Sequence, residues 1–169
     1  MNNPPRPSLA RFKGLLAVCC GALLLGLAPT GHSLAETLNC PCEVVNVLTG
    51  DTVFVLDQYR SSRKVWLAGV DAPDMNREIG LKSRQHLIDL VARQRVQVHF
   101  DKRDRYGRII GKLLKNGEDM NLLQIKNGFG RILDKHISEL SSDDLRRYRE
   151  AQQYAKDREL GLWTSMGDE

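Results

Sequence analysis

At 169 residues the chain has the length of one domain, and its first 35 residues do not count toward that domain. The formal charge of +4 falls to +1 once this leader is set aside, because 22 basic residues then face 21 acidic ones. Overall basicity is thereby excluded as an argument for binding a polyanion. Any attraction to phosphate must come from local clusters, such as Arg60, Arg63 and Lys64, or Lys102, Arg103, Arg105 and Arg108.

The leader combines Arg6, Arg11 and Lys13, an apolar run from Leu15 to Ala28, and Ser33-Leu34-Ala35. These are the three regions of a cleavable signal peptide with cleavage after Ala35, which predicts a secreted or periplasmic protein. Fourteen apolar residues are too few for a stable membrane anchor. Residues 36–42 then read as a short N-terminal extension ending in Cys40-Pro41-Cys42. Export permits a disulfide, but a ring closed one residue apart is strained. The two thiols are therefore read as a strained or intermolecular disulfide, or as free. A disulfide-linked dimer through Cys40 or Cys42 stands as the alternative to a monomer.

Residues 43–165 read as the folded domain. Glu43 to Leu48 and Thr52 to Leu56 are valine-rich runs separated by Thr49-Gly50-Asp51, a predicted hairpin. Lys64 to Val70 is a third strand that ends at Asp71-Ala72-Pro73. Leu81 to Arg93 carries Ser83, Leu87, Leu90 and Val91 on one face at helical spacing. Arg95 to Phe100 alternates as a half-buried strand does, and Arg108 to Leu114 follows as the fifth, closed by Asn116-Gly117. Asp119 is placed to cap a short helix through Ile125, with Asn127-Gly128 as its stop. Ser141 and Asp144 resemble a capping box for a last helix whose buried stripe is Leu145, Tyr148, Ala151 and Ala155. Five short strands with a helix between the third and fourth suit a five-stranded OB-type barrel with three helices.

Three segments carry the chemistry: Thr49-Gly50-Asp51-Thr52-Val53, Val65-Trp66-Leu67-Ala68-Gly69-Val70-Asp71-Ala72-Pro73-Asp74, and Asp104-Arg105-Tyr106-Gly107-Arg108. In order and spacing they resemble those of the thermonuclease (staphylococcal-nuclease-like) family, and the likeness runs from about Glu43 to Trp163. The resemblance implies the same barrel and a calcium-assisted phosphodiester hydrolase acting on DNA or RNA. It implies Asp51, Asp71 and the Ala72 carbonyl as calcium ligands, Asp74 at the general-base position and Arg108 as the arginine that steadies the transition state. Arg105 and Tyr106 fall where the family contacts the nucleotide.

Two positions depart from the family pattern. An arginine is expected where Trp66 stands, and a glutamate where Asp74 stands. Tryptophan cannot form a fork around phosphate, and aspartate is one methylene shorter than glutamate. Lys64, two residues from Trp66 on the same strand face, is a partial substitute, and Arg63 or Arg77 lies near in sequence. Aromatics that often follow the Asn-Gly stop in the family are replaced by Ile132, Leu133, Asp134, Lys135 and His136, so base stacking falls to Trp66 and Tyr106. His99 and His136 read as rim residues. The expected protein is an exported nuclease of reduced activity. Its alternative is a catalytically silent module of the same fold that binds nucleic acid or another anion.

Overall fold

The computed structural model describes residues 36–133, 137–138 and 140–164. The leader, Asp134, Lys135 and His136 lie outside the described residues. In chain order the elements are β1 (Glu36–Thr49), β2 (Thr52–Leu56), β3 (Ser62–Leu67), β4 (Val70–Asp71), α1 (Glu78–Val91), β5 (Arg95–Arg103) and β6 (Ile109–Lys115). Then follow β7 (Glu118–Asp119), α2 (Met120–Lys126), β8 (Arg131–Ile132), α3 (Ser142–Asp157) and a 3-10 turn, Gly161–Trp163. No helix of the described residues is long and apolar enough to cross a membrane.

Hydrogen bonding runs β3-β2-β1-β5-β6, and a parallel pairing of β3 with β6 closes the ring into a five-stranded barrel. Alternation along the strands decides what fills it. Val53, Val55, Val65, Val98, Ile109 and Leu113 are completely buried, each worth roughly 1.5–3 kcal/mol on leaving water. The partners one residue along face outward, among them Lys64, Trp66 and Lys112.

Strand β1 starts seven residues before the expected Glu43. Glu36, Thr37 and Leu38 pair with Phe100, His99 and Val98, and the ladder then slips between Leu38 and Cys42. Pro41 falls within that irregularity, where a residue without an N–H is tolerated. The proline hides the strand from its sequence. Cys42 is fully buried and takes part in a disulfide within the chain, so it is neither free nor available for a link to a second copy.

The barrel is sealed where β3 meets β6. The Ala68 N–H donates to the Gly111 carbonyl at 2.8 Å. Asn121, fully buried at the start of α2, donates its amide to the Ala68 and Gly111 carbonyls at 3.1 Å and accepts the Leu113 N–H at 3.1 Å. One side chain thus satisfies three main-chain groups at the seam.

Both predicted caps form. The Asp119 carboxylate accepts the Leu122 N–H at 3.0 Å and the Ser141 hydroxyl accepts the Asp144 N–H at 3.1 Å. Helix α1 begins at Glu78, three residues before expectation, and buries Gly80, Ser83, Leu87 and Val91.

Asp119 also accepts the Tyr148 hydroxyl at 3.1 Å, and the Lys112 ammonium stands 3.8 Å away while it pairs with Asp144 at 2.5 Å. Burial pushes the Asp119 carboxyl above its ordinary 3.8, against the pull of the Leu122 N–H and Lys112. A carboxyl whose folded-state pKa is raised makes folding less favourable as pH rises through the window above 3.8. Asp119→Asn keeps a good N-cap acceptor and removes that charge. The variant is expected to melt higher than the parent at pH 7, with the gap closing below about pH 4, where the parent is protonated too. A gap that persists unchanged in acid, measured by thermal melts across pH, would put the cause elsewhere.

Candidate active site

Asp51 sits in the two-residue turn that reverses β1 into β2. Its Oδ1 accepts the hydroxyls of Thr49 at 2.6 Å and Thr52 at 2.8 Å, and its Oδ2 accepts the Ala72 N–H at 3.2 Å. Three of the roughly four lone-pair positions of a carboxylate are thus engaged, and the side chain is fixed against the backbone of Ala72. Asp71 ends β4 one residue earlier. The turn and the strand end are therefore brought together across 20 residues of chain.

Gly50 permits this approach. A Cβ there would stand 1.8 Å from Ser83 Oγ and 2.9 Å from Ala72 Cβ. Gln124, fully buried on α2, supports the same turn from below: its amide donates to the Gly50 carbonyl at 2.8 Å and to the Ser83 carbonyl at 3.0 Å. Its carbonyl meets His86 Nδ1, and the His86 ring stacks on Phe129 at 4.6 Å.

Asp74 is exposed on the loop between β4 and α1. A Cβ on Gly80 would stand 2.0 Å from the Asp74 carbonyl, so this glycine lets the loop lie directly on the first turn of α1. Asp71, Ala72, Asp74, Arg77, Arg131 and Leu162 line one cleft of about 220 Å³. Among the described residues no three carboxylate, imidazole or thiol groups gather around a single point. A hard cation at this place would take oxygen donors from Asp51, Asp71 and the Ala72 carbonyl, a set that suits calcium and leaves the rest of its shell to water or phosphate oxygens.

The Asp104–Arg108 segment shows why its motif needs each residue. Asp104 Oδ1 accepts the N–H groups of Tyr106 and Arg108, both at 2.9 Å, and Oδ2 accepts Arg108 Nε at 2.5 Å. Gly107 supplies the positive φ of +75° that closes the turn. Burial opposes the Asp104 charge, yet the hydrogen bonds from Arg108 and Tyr106 hold its carboxyl below the ordinary value. The pair engages only the Nε of Arg108.

Arg108 is not in the cleft with Asp71 and Asp74. Its guanidinium lies over the Trp66 ring, 4.7 Å from the centroid, and 5.7 Å from that of Tyr106. Trp66 pairs with Thr52, the residue after Asp51, on one side and with Ile110 on the other. Trp66 therefore bridges the outer barrel face between the Asp51 turn and Arg108, and is a platform for the arginine rather than an empty position. Tyr106 is 68% exposed, with Arg105 over its ring at 4.8 Å, which leaves that ring on the open surface.

The suggested substitute cations separate. Arg63 is held by Asp57 at 3.1 Å, away from the cleft. Lys64 pairs opposite Phe54 in β3 and is not among the cleft residues, whereas Arg77 is. Arg131 was not anticipated from sequence. It lies opposite Asp71 in the β4–β8 ladder, and its Nε donates to Asp71 Oδ2 at 2.9 Å. The only signal for it would have been the pairing of two two-residue strands. A larger cavity, about 310 Å³, lies outside β5 and β6 between His99, Lys102, Ile110 and Asp144, and holds none of the expected metal ligands.

The sequence profile of the Staphylococcal nuclease homologue family matches residues 64–165, well over half of the chain. The chain belongs to this family. An uncharacterised endonuclease of Escherichia coli is 31% identical over 122 residues, 72% of this chain and 75% of its own length. An uncharacterised endonuclease of Haemophilus influenzae is 33% identical over 122 residues, 72% of this chain and 65% of its own. A micrococcal nuclease of Shigella flexneri is 48% identical over 69 residues, 41% of this chain and 39% of its own. The chain thus spans less than two thirds of the length of the last two relatives. As a Staphylococcal nuclease homologue it has the barrel expected of it.

Proposed function

We propose that this Staphylococcal nuclease homologue is an exported, calcium-dependent phosphodiesterase that cleaves DNA or RNA at reduced rate. The observation that carries the reading is the Asp51 carboxylate accepting the N–H of Ala72, the residue after Asp71; the reading assigns these two carboxylates and the Ala72 carbonyl to a hard cation. Calcium bound there would mask phosphate charge and polarise the bond to phosphorus. Asp74, on the same cleft, accepts the proton of a water as its oxygen bonds to phosphorus and the bond to one ester oxygen breaks, that oxygen taking a proton from solvent to leave as the alcohol. Arg108 lies outside that cleft, over Trp66 on the face that adjoins the Asp51 turn, and would meet the phosphate from there with the terminal amino groups that its Nε tie to Asp104 leaves. Trp66, Tyr106, Arg105 and Lys64 then offer stacking surface and positive charge to the flanking nucleotides.

The reduced rate follows from Trp66 and Asp74. Displacing a catalytic group by on the order of 1 Å can cost about a hundredfold, and loss of a phosphate-clamping arginine about a thousandfold or more. The silent-module reading draws on the same tryptophan, which covers one face of Arg108. Export rests on the composition of residues 1–35.

Turnover of single-stranded DNA by the full chain, with calcium and with chelator, tests the proposal. Calcium is expected to restore cleavage and to stabilise the fold, by about 2.7 kcal/mol at a hundredfold excess over Kd, which a raised melting temperature would report. Asp51→Ala and Asp71→Ala should each abolish both effects. A melting rise retained in either variant would move the metal elsewhere, and a native chain that binds DNA and calcium without cutting would be the silent module.

A further inference from the structure

Position 66 lacks the arginine that the family pattern leads one to expect, and the cleft supplies a cation from another strand. We propose that Arg131 is a phosphate-contacting residue of this site, supplying from β8 the positive charge that Trp66 does not. The inference rests on the hydrolase reading above.

Directly opposed residues of an antiparallel ladder project to the same side, so the Asp71–Arg131 pairing puts the guanidinium on the face that carries the metal-site carboxylate. The approach is built in. A Cβ on Gly130 would stand 2.7 Å from Val70 Cγ1, so only glycine lets β8 come this close to β4. Arg131 is bound to Asp71 through Nε, which leaves its terminal amino groups for a second anion. Its side chain is 62% exposed, so a strand of nucleic acid arriving at the cleft meets it without rearrangement of the core. An ion pair this open adds little to stability, so stability alone does not account for it.

Charge argues the same way. Asp71 and Asp74 line the cleft, Asp51 adjoins it, and a phosphodiester adds a further negative charge. Arg77 and Arg131 are the cations among the lining residues. Arg77 stands at the N-cap of α1, and the Arg131 Nε donates to the Asp71 carboxylate across the ladder.

The opposing idea is that Arg131 only holds Asp71 in place until a metal arrives. The full chain, with Arg131→Ala, Arg131→Lys and Arg77→Ala, separates the two. The readouts are kcat on single-stranded DNA at saturating calcium, calcium affinity by calorimetry, and affinity for a five-nucleotide phosphorothioate DNA that resists cleavage. Arg131→Ala should lower kcat about a hundredfold to a thousandfold, with Arg131→Lys recovering part. Calcium affinity should hold or tighten, because a positive charge leaves a ligand. A loss under threefold, a loss that disappears once calcium saturates, or a larger loss in Arg77→Ala would overturn the proposal. If the native chain does not cut, the phosphorothioate strand decides. A tenfold weaker affinity in Arg131→Ala, at unchanged melting temperature, keeps the contact while the hydrolase reading falls. Unchanged affinity overturns the contact itself.

Discussion

Arg108→Ala is expected to lower cleavage of single-stranded DNA by about a thousandfold or more while leaving the barrel folded. The guanidinium is held on three sides, by Asp104 at 2.5 Å and by the faces of Trp66 and Tyr106, so it reaches a phosphate already oriented. Such preorganisation makes a charge effective in a transition state, because no reorientation is needed as the reaction proceeds. Arg108→Lys should recover little, since an ammonium neither forks around phosphate nor lies flat on an indole. Stability should change only slightly, because the pair with Asp104 is partly exposed. Activity within tenfold of the parent would remove Arg108 from the reaction.

Gly50→Ala should damage fold and site together. The added Cβ would overlap Ser83 Oγ at 1.8 Å and press on the Cβ atoms of Ser83 and Ala72 at 2.9 Å, in a place with no room to yield. Overpacking of this kind costs on the order of 1–3 kcal/mol, and more where main chain must shift. The shift falls on the turn that carries Asp51, so the calcium-dependent rise in melting temperature should vanish even at temperatures where the variant is folded. Ser83→Ala in that background removes the worst overlap but leaves the two Cβ contacts at 2.9 Å, with residue 83 and with Ala72. A double-mutant cycle in urea should therefore show partial rescue, with a coupling of about 1 kcal/mol or more. A Gly50→Ala chain within 0.5 kcal/mol of the parent would contradict the packing described.

Much of this was legible from local pattern. Thr52–Leu56 stands where its valines placed it, and Asp119 and Ser141 cap their helices as their side chains dictate. The Asp-x-Tyr-Gly-Arg segment could be read because its hydrogen bonds close within five residues. What escaped depends on contacts far apart in sequence. The two-residue strands β4 and β8 have no periodicity of their own, so nothing local announced that Arg131 meets Asp71 across 60 positions. Gln124, an ordinary polar residue of a short helix, becomes the support of the Asp51 turn only because α2 crosses beneath it. Trp66 was legible as a departure, but its contact with Arg108 follows from the parallel closure of β3 on β6, which no strand pattern specifies.

The order in which the cleft is completed has a consequence for the chain as it is made. Leu162 lines the cleft, and its N–H is anchored to the Gly128 carbonyl at 2.8 Å, with Gly161 packed against Gly128 so closely that a Cβ would stand 2.3 Å from that oxygen. This part of the cleft wall therefore arrives last, from the final turn of the described residues, after every other lining residue has been synthesised. A nascent or clipped chain that stops short of residue 161 has the three motifs and no finished cleft. Domains emerge and fold from their N-terminal side, so this arrangement delays completion of the cleft until residue 162 has emerged.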